Sequence, residues 1–140
     1  MMESVITQQS DHRAALLARC RNKRVLLMAH SIYDMVTTRE KLVAYGLHVD
    51  IAVNGKHALQ YLARRSRYDL VVVDLDQHED EGLAVSQRVL WQERKPCVIA
   101  HSKVQSKDWI QKLADAGVEG LLPKRCMNQQ LEDCLIQHLH

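Results

Sequence analysis

The chain has 140 residues, 46% hydrophobic and 26% charged, and its 19 Lys and Arg against 17 Asp and Glu leave a net charge of +2. That length is one domain's worth and can bury roughly 68% of the unfolded surface, enough for a core without staples. Near-neutrality argues against an electrostatic draw to nucleic acid or membrane, and no run approaches the roughly 18 apolar residues of a membrane span.

Cys20, Cys97, Cys126 and Cys134 form no CxxC pair, which excludes a zinc ribbon and a thioredoxin-type motif. Cys97 in an apolar run and Cys134 on a helical stripe are expected to pack as small hydrophobes. Free thiols fit a reducing compartment, and Met1, Met2, Glu3 and Ser4 begin no apolar signal core. The expectation is a soluble, cytoplasmic protein.

In chain order, residues 1–22 read as an N-terminal extension. Ser10 or Asp11 is placed to cap a short helix through Ala14, Leu16, Leu17 and Ala18, with bases following where they suit the helix dipole. A docking or dimerising arm is one reading, and a frayed extension is the preferred one. Val25 to Met28 is a wholly apolar run, the mark of a strand buried on both faces. Ser31 offers an N-cap to a helix with Ile32, Met35, Val36 and Val43 as its apolar stripe, stopped at Gly46. His48 to Val53 alternates as a strand, and Asn54-Gly55 predicts a turn. A helix carrying Ala58, Leu59, Leu62 and Ala63 follows.

Leu70 to Val73 is a second buried strand, ending at Asp74. An acidic loop is expected from Asp76 to Gly82, then a helix with Val85, Val89 and Leu90. Pro96 opens a strand from Cys97 to Ala100. Ser106 caps a helix bearing Trp109, Ile110, Leu113 and Ala114, closed by Gly117. A strand from Glu119 to Leu122 and a helix from Asn128 with Leu131, Cys134 and Leu135 complete the chain. Strands alternating with helices predict an α/β fold, a parallel sheet covered on both faces. In such a sheet reactive groups gather beyond the carboxyl ends of the strands, which brings Ala29, His30, Asp74, His101 and Lys124 together.

The segment DLVVVDLDQHEDEGLAV, Asp69 to Val85, resembles the third strand and following loop of response-regulator receiver domains. Asp74 matches the phosphoacceptor, and Glu81-Gly82 match the pair that closes the loop. DAGVEGLLPKRC, Asp115 to Cys126, is similar to the family's last helix–strand–loop passage, with Lys124 on the lysine that pairs with the phosphoryl group. The resemblance covers residues 23–140. It implies a doubly wound, flavodoxin-like five-stranded sheet of order 2-1-3-4-5 and a two-component signalling role.

Several positions depart from the family. Its acidic pair after the first strand is replaced by Ala29 and His30. A methyl group cannot coordinate magnesium and imidazole replaces a carboxylate poorly, so Mg2+ binding is expected to be weak or absent and no other cofactor is expected. His101 stands at the switch hydroxyl, with Ser102 one residue away, and Leu121 at the switch aromatic. Arg125 replaces a proline that is often cis, a geometry that costs about 2.5–4 kcal/mol without proline, so an altered loop is expected. His78 replaces the proline of the loop after Asp74.

The pattern is that of an atypical, or pseudo-receiver. The expected function is signalling by protein–protein contact with impaired or absent phosphorylation, not enzyme catalysis. Asp74 is expected to rest in a salt bridge with Lys124. Expected partners are a histidine kinase or downstream effector, or a second copy through the fourth helix, fifth strand and fifth helix of the receiver-like portion; no nucleic acid or membrane is expected.

Two rivals stand beside this reading. One is a working phosphoacceptor using Asp74 and Lys124. The other is a small-ligand, metal or redox sensor using a pocket of His30, His101 and Cys126. Asp76, Glu79, Asp80 and Glu81 read as a solvated acidic run. A protonated His30 beside Asp74 is a further expectation, as a stand-in for the missing cation. Trp109 reads as packing or as an interface anchor, and Cys126 beside Lys124 as a thiol to be tested for reactivity.

Overall fold

The central apolar runs, Val25 to Met28 and Leu70 to Val73, become strands buried in the sheet, and the helix after each strand carries the chain back so that neighbours pair in parallel. The computed structural model describes residues 2–64, 67–76, 78–103 and 106–139, with side chains from residue 11 onward. The strands are β1 (Arg24–Met28), β2 (His48–Ala52), β3 (Leu70–Asp74), β4 (Cys97–Ser102) and β5 (Gly120–Pro123), in the order β2-β1-β3-β4-β5. This is the expected 2-1-3-4-5 sheet. Helices α1 (Met2–Cys20), α2 (Ile32–Ala44), α3 (Gly55–Arg64), α4 (Glu79–Val89), α5 (Lys107–Asp115) and α6 (Asn128–His138) cover it.

Alternation along the central strands divides the core in two. Leu26, Met28, Val71 and Val73 pack with Ala58 and Leu62 of α3, Val85 and Val89 of α4 and Leu113 of α5. Val25, Leu27, Leu70 and Val72 face the other way, onto Leu42 of α2, Leu131 and Leu135 of α6, and Leu16 and Cys20 of α1.

The N-terminal segment departs from the expected frayed extension. α1 starts at Met2, so neither Ser10 nor Asp11 caps it. Its second half joins the core through Leu16 and Cys20, and the Arg19 guanidinium donates to the Ile136 carbonyl of α6.

α2 corrects a second expectation. Ser31 does cap it, accepting from the Asp34 N–H at 3.4 Å, but Ile32, Val36 and Val43 face outward and the buried residues are Thr38 and Leu42. Helical spacing admits more than one stripe, and the sheet chose the one that includes a threonine. Asn54 is a helix cap, its side-chain oxygen accepting from His57 N–H at 2.8 Å. The acidic stretch expected as a loop turns helical at Glu79. Glu79, Asp80 and Glu81 then lie in the first turn of α4, where the helix dipole favours acids. β4 extends two residues beyond expectation, which puts His101 and Ser102 on a strand.

Candidate functional site

Parallel register carries the chemistry to one end of the sheet. Asp74 is the last residue of β3 and lies opposite His101 of β4, while Ser102 pairs with Pro123, just before Lys124. Asp74 is only 1% exposed. Its Oδ1 accepts from the Lys124 ammonium at 2.9 Å and from the Asp76 N–H at 3.0 Å. Its Oδ2 accepts from the His30 N–H at 3.5 Å.

Lys124 does not serve Asp74 alone. Its Nζ also lies 3.1 Å from Asp76 Oδ2 and 3.2 Å from Asp34 Oδ2. One buried ammonium thus stands among three carboxylates. Burial opposes its charge, yet the bonds to Asp74, Asp76 and Asp34 outweigh burial and raise its pKa. For Asp76 burial likewise pulls upward. The hydrogen bond from Ser102 Oγ at 2.7 Å, the Lys124 contact and the Lys103 N–H at 3.2 Å prevail, leaving the carboxyl below its ordinary value.

The sequence reading missed Asp34 and set Asp76 aside in a solvated run. Asp34 reads locally as a first-turn acid after a serine cap, and nothing near it in the chain points to a lysine so distant. The expected Asp74–Lys124 pair is present as part of this larger cluster.

His30 stands on the opposite side of Asp74. Its Nε2 is 3.0 Å from Glu81 Oε2 and its Nδ1 is 3.8 Å from Asp74 Oδ2, a buried ring nitrogen with no hydrogen-bond partner. His78 lies against it with ring centroids 4.7 Å apart. The bond with His30 holds the Glu81 carboxyl below its usual value, and the Gly55 N–H adds a contact at 3.3 Å. Gly82 lies inside α4, where a Cβ would come within 2.1 Å of Leu75 and 3.3 Å of the Asp74 carbonyl.

His101 is 5% exposed, and burial above all, then the Lys124 charge, pushes its pKa down against the pull of Asp34, Asp74 and Asp76. That favours the neutral imidazole. Ser102 occupies the next position, its hydroxyl donating to Asp76. Leu121, at the expected switch position, is half-buried against the core. All described peptide bonds are trans, and the turn after Lys124 is made by Arg125 at φ +58°, a left-handed conformation uncommon outside glycine. Its guanidinium rests 5.8 Å over the Tyr33 ring.

The three residues expected to line one sensor pocket are divided. His101 and Cys126 border a cavity of about 280 Å³ beneath α2, together with Tyr33, Thr38 and Lys41. His30 does not, because it follows β1 while His101 lies on β4, and β3 stands between them. Burial raises the Cys126 thiol pKa despite Lys41 nearby, which works against a reactive thiolate. Cys134 is likewise pushed up by burial, to about 11. Trp109 packs partly into the core, whereas Trp91 is 82% exposed.

Magnesium wants several hard oxygens free to turn toward it. Here Asp34, Asp74 and Asp76 already converge on Lys124, and an imidazole engaged by Glu81 fills the other flank of Asp74. Among the described residues no three His, Cys, Asp or Glu side chains are grouped to hold a metal. This donor set does not fit a magnesium site.

The family model for the response regulator receiver domain matches residues 30–136. Among solved structures, the chemotaxis protein CheY4 of Vibrio cholerae superposes with a TM-score of 0.76 at 22% identity, over 84% of this chain and 99% of that one. A response regulator of Thermotoga maritima gives 0.73 at 23% identity, over 83% and 96%. A CheY-like receiver domain of Methylobacillus flagellatus gives 0.70 at 22%, over 83% and 98%. At such identities these likenesses speak for the fold. No curated protein matches the chain. Among the described residues no helix is long and apolar enough to cross a membrane.

Proposed function

The chain belongs to the response regulator receiver domain family, and from that premise we propose that it signals through protein contacts with phosphorylation of Asp74 impaired or absent. The observation that carries this reading is the single ammonium of Lys124 shared among Asp34, Asp74 and Asp76. A phosphoryl group on Asp74 would bring further negative charge to a cluster already in anionic excess. Each like-charge pair at about 4 Å costs about 4 kcal/mol at an effective dielectric of about 20. The offset elsewhere comes from a divalent cation and fixed donors, and at the acid-pair positions Ala29 and His30 supply no carboxylate to hold the cation. A protonated His30, between Asp74 and Glu81, would add positive charge on that side.

Contact surfaces of two kinds support the signalling half of the reading. The outward apolar residues of α2, with Ile32 78% exposed and Tyr33, Val36 and Val43 beside it along the helix, form a face of the sort that marks protein partners. The face of α5, β5 and α6 remains the candidate for a second copy, with Ile110 exposed on α5. The sensor reading has less support, since His30 is separated from His101 and Cys126.

The test is acetyl phosphate with Mg2+ followed by intact mass. The unchanged mass is expected. A phosphoryl adduct that disappears in Asp74→Asn would instead establish the rival, a working phosphoacceptor using Asp74 and Lys124.

A further inference from the structure

The opposite end of the sheet, at the amino ends of the strands, holds charge of the other sign in a different state. An open cleft of about 700 Å³ there is lined by Arg21, Lys23, Arg24, Arg67, Arg94 and Lys95. A second, of about 560 Å³, shares Arg67 and Arg94 with it and adds Arg64 and Arg88. Among the described residues eight cations face three carboxylates, Asp69, Glu93 and Glu119, a surplus of five on a chain whose whole net charge is +2. Among the described residues none of the eight side chains is in a salt bridge. Asp69 is engaged elsewhere, accepting from the Arg24 N–H at 2.8 Å, and Glu119 holds the Cys97 thiol.

Helix dipoles account for part of this. Arg64 and Arg88 lie in the last turns of α3 and α4, where cations are favoured. Dipoles account for Arg21 as well, at the end of α1, but not for Lys23, Arg67, Arg94 and Lys95, which lie between elements, or for Arg24 at the head of β1.

We propose that these joined clefts are a binding groove for single-stranded nucleic acid. Each cleft is the size of a whole small-molecule site, roughly 300–1,000 Å³, and the two share Arg67 and Arg94, so the adjoining pair suits a polymer. Six of the eight cations are arginine, whose planar fork pairs with phosphate and stacks on rings. Trp91 lines the second cleft with Arg88 and Arg94 at 82% exposure, the open aromatic face on which an unpaired base stacks. An acidic polypeptide would use the cations but would leave that face without a role.

The experiment is fluorescence anisotropy of the full chain with labelled 12-nucleotide oligo(dT) and oligo(U), folding of each variant being checked by circular dichroism. Binding should weaken about a hundredfold between about 50 and 200 mM salt. Arg67→Glu with Arg94→Glu should lower affinity more than about a hundredfold. Trp91→Ala, at an exposed position, should lower it about tenfold. Three results would each overturn the proposal: no binding at low salt, tighter binding of duplex than of single strand, or polyglutamate bound as tightly as the oligonucleotide with Trp91→Ala without effect. The last would assign the groove to an acidic protein.

Discussion

At the carboxyl end of the sheet, Asp34, Asp74 and Asp76 crowd around the buried Lys124 and are largely satisfied from within. At the amino end, eight cations stand in open clefts with no salt bridge among the described residues. The first arrangement is short-ranged and centred on the buried Asp74, so its charges bear on stability and local protonation. The second is exposed to solvent and salt, where single contacts add little stability but the summed field can attract a polyanion. A near-neutral total therefore describes neither end.

The largest break in this comparison is Lys124→Met, which leaves the buried Asp74 carboxylate without its cation. It should cost about 3–5 kcal/mol in urea unfolding. A loss below about 1 kcal/mol would show that the cluster does not depend on the ammonium. Restoring the family's acids with Ala29→Asp and His30→Asp should raise Mg2+ affinity by at least about tenfold, read by calorimetry; unchanged affinity would mean that Lys124, not the missing acids, excludes the ion.

A milder probe is Asp74→Asn. Two carboxylates remain for Lys124, so stability should change by less than about 1 kcal/mol, and the contrast with Lys124→Met measures how far the cluster is short of cations. Acidification offers a further test. The pKa of His101 is depressed on folding, by burial and Lys124. Below its ordinary value near 6.5 the unfolded chain binds the proton first, so stability falls as pH drops from about 7 toward 5. The fall in melting temperature over that window should shrink in His101→Thr, and an identical slope would assign it to other histidines. The smallest effect is expected at the other end. Arg94→Glu should change stability by less than about 0.5 kcal/mol while it weakens oligonucleotide binding, which separates the two kinds of charge.

Much of this molecule was legible locally. The apolar runs at Val25 and Leu70 read as strands because burial on both faces leaves a continuous signature, and Ser31 and Ser106 read as caps because capping is completed within three residues. Asp74 and Lys124 were found through strand ends and resemblance. The outer stripe of α2 was misread because Ile32, Val36 and Val43 are as periodic as the stripe that is buried. Asp76 was set aside because its partners, Ser102 and Lys124, lie far along the chain.

The sequence by itself determined the order of the elements, the α/β class and the residues at the strand ends, since each depends on periodicity over a few neighbours. Only the tertiary structure decided that one lysine answers three aspartates, that α1 joins the core, and that arginines from several separate stretches form one groove. Composition gives the total charge and no position. Parallel crossovers carry each strand end past its neighbours, and it is that return of the chain that gathers distant charges at opposite ends of the sheet.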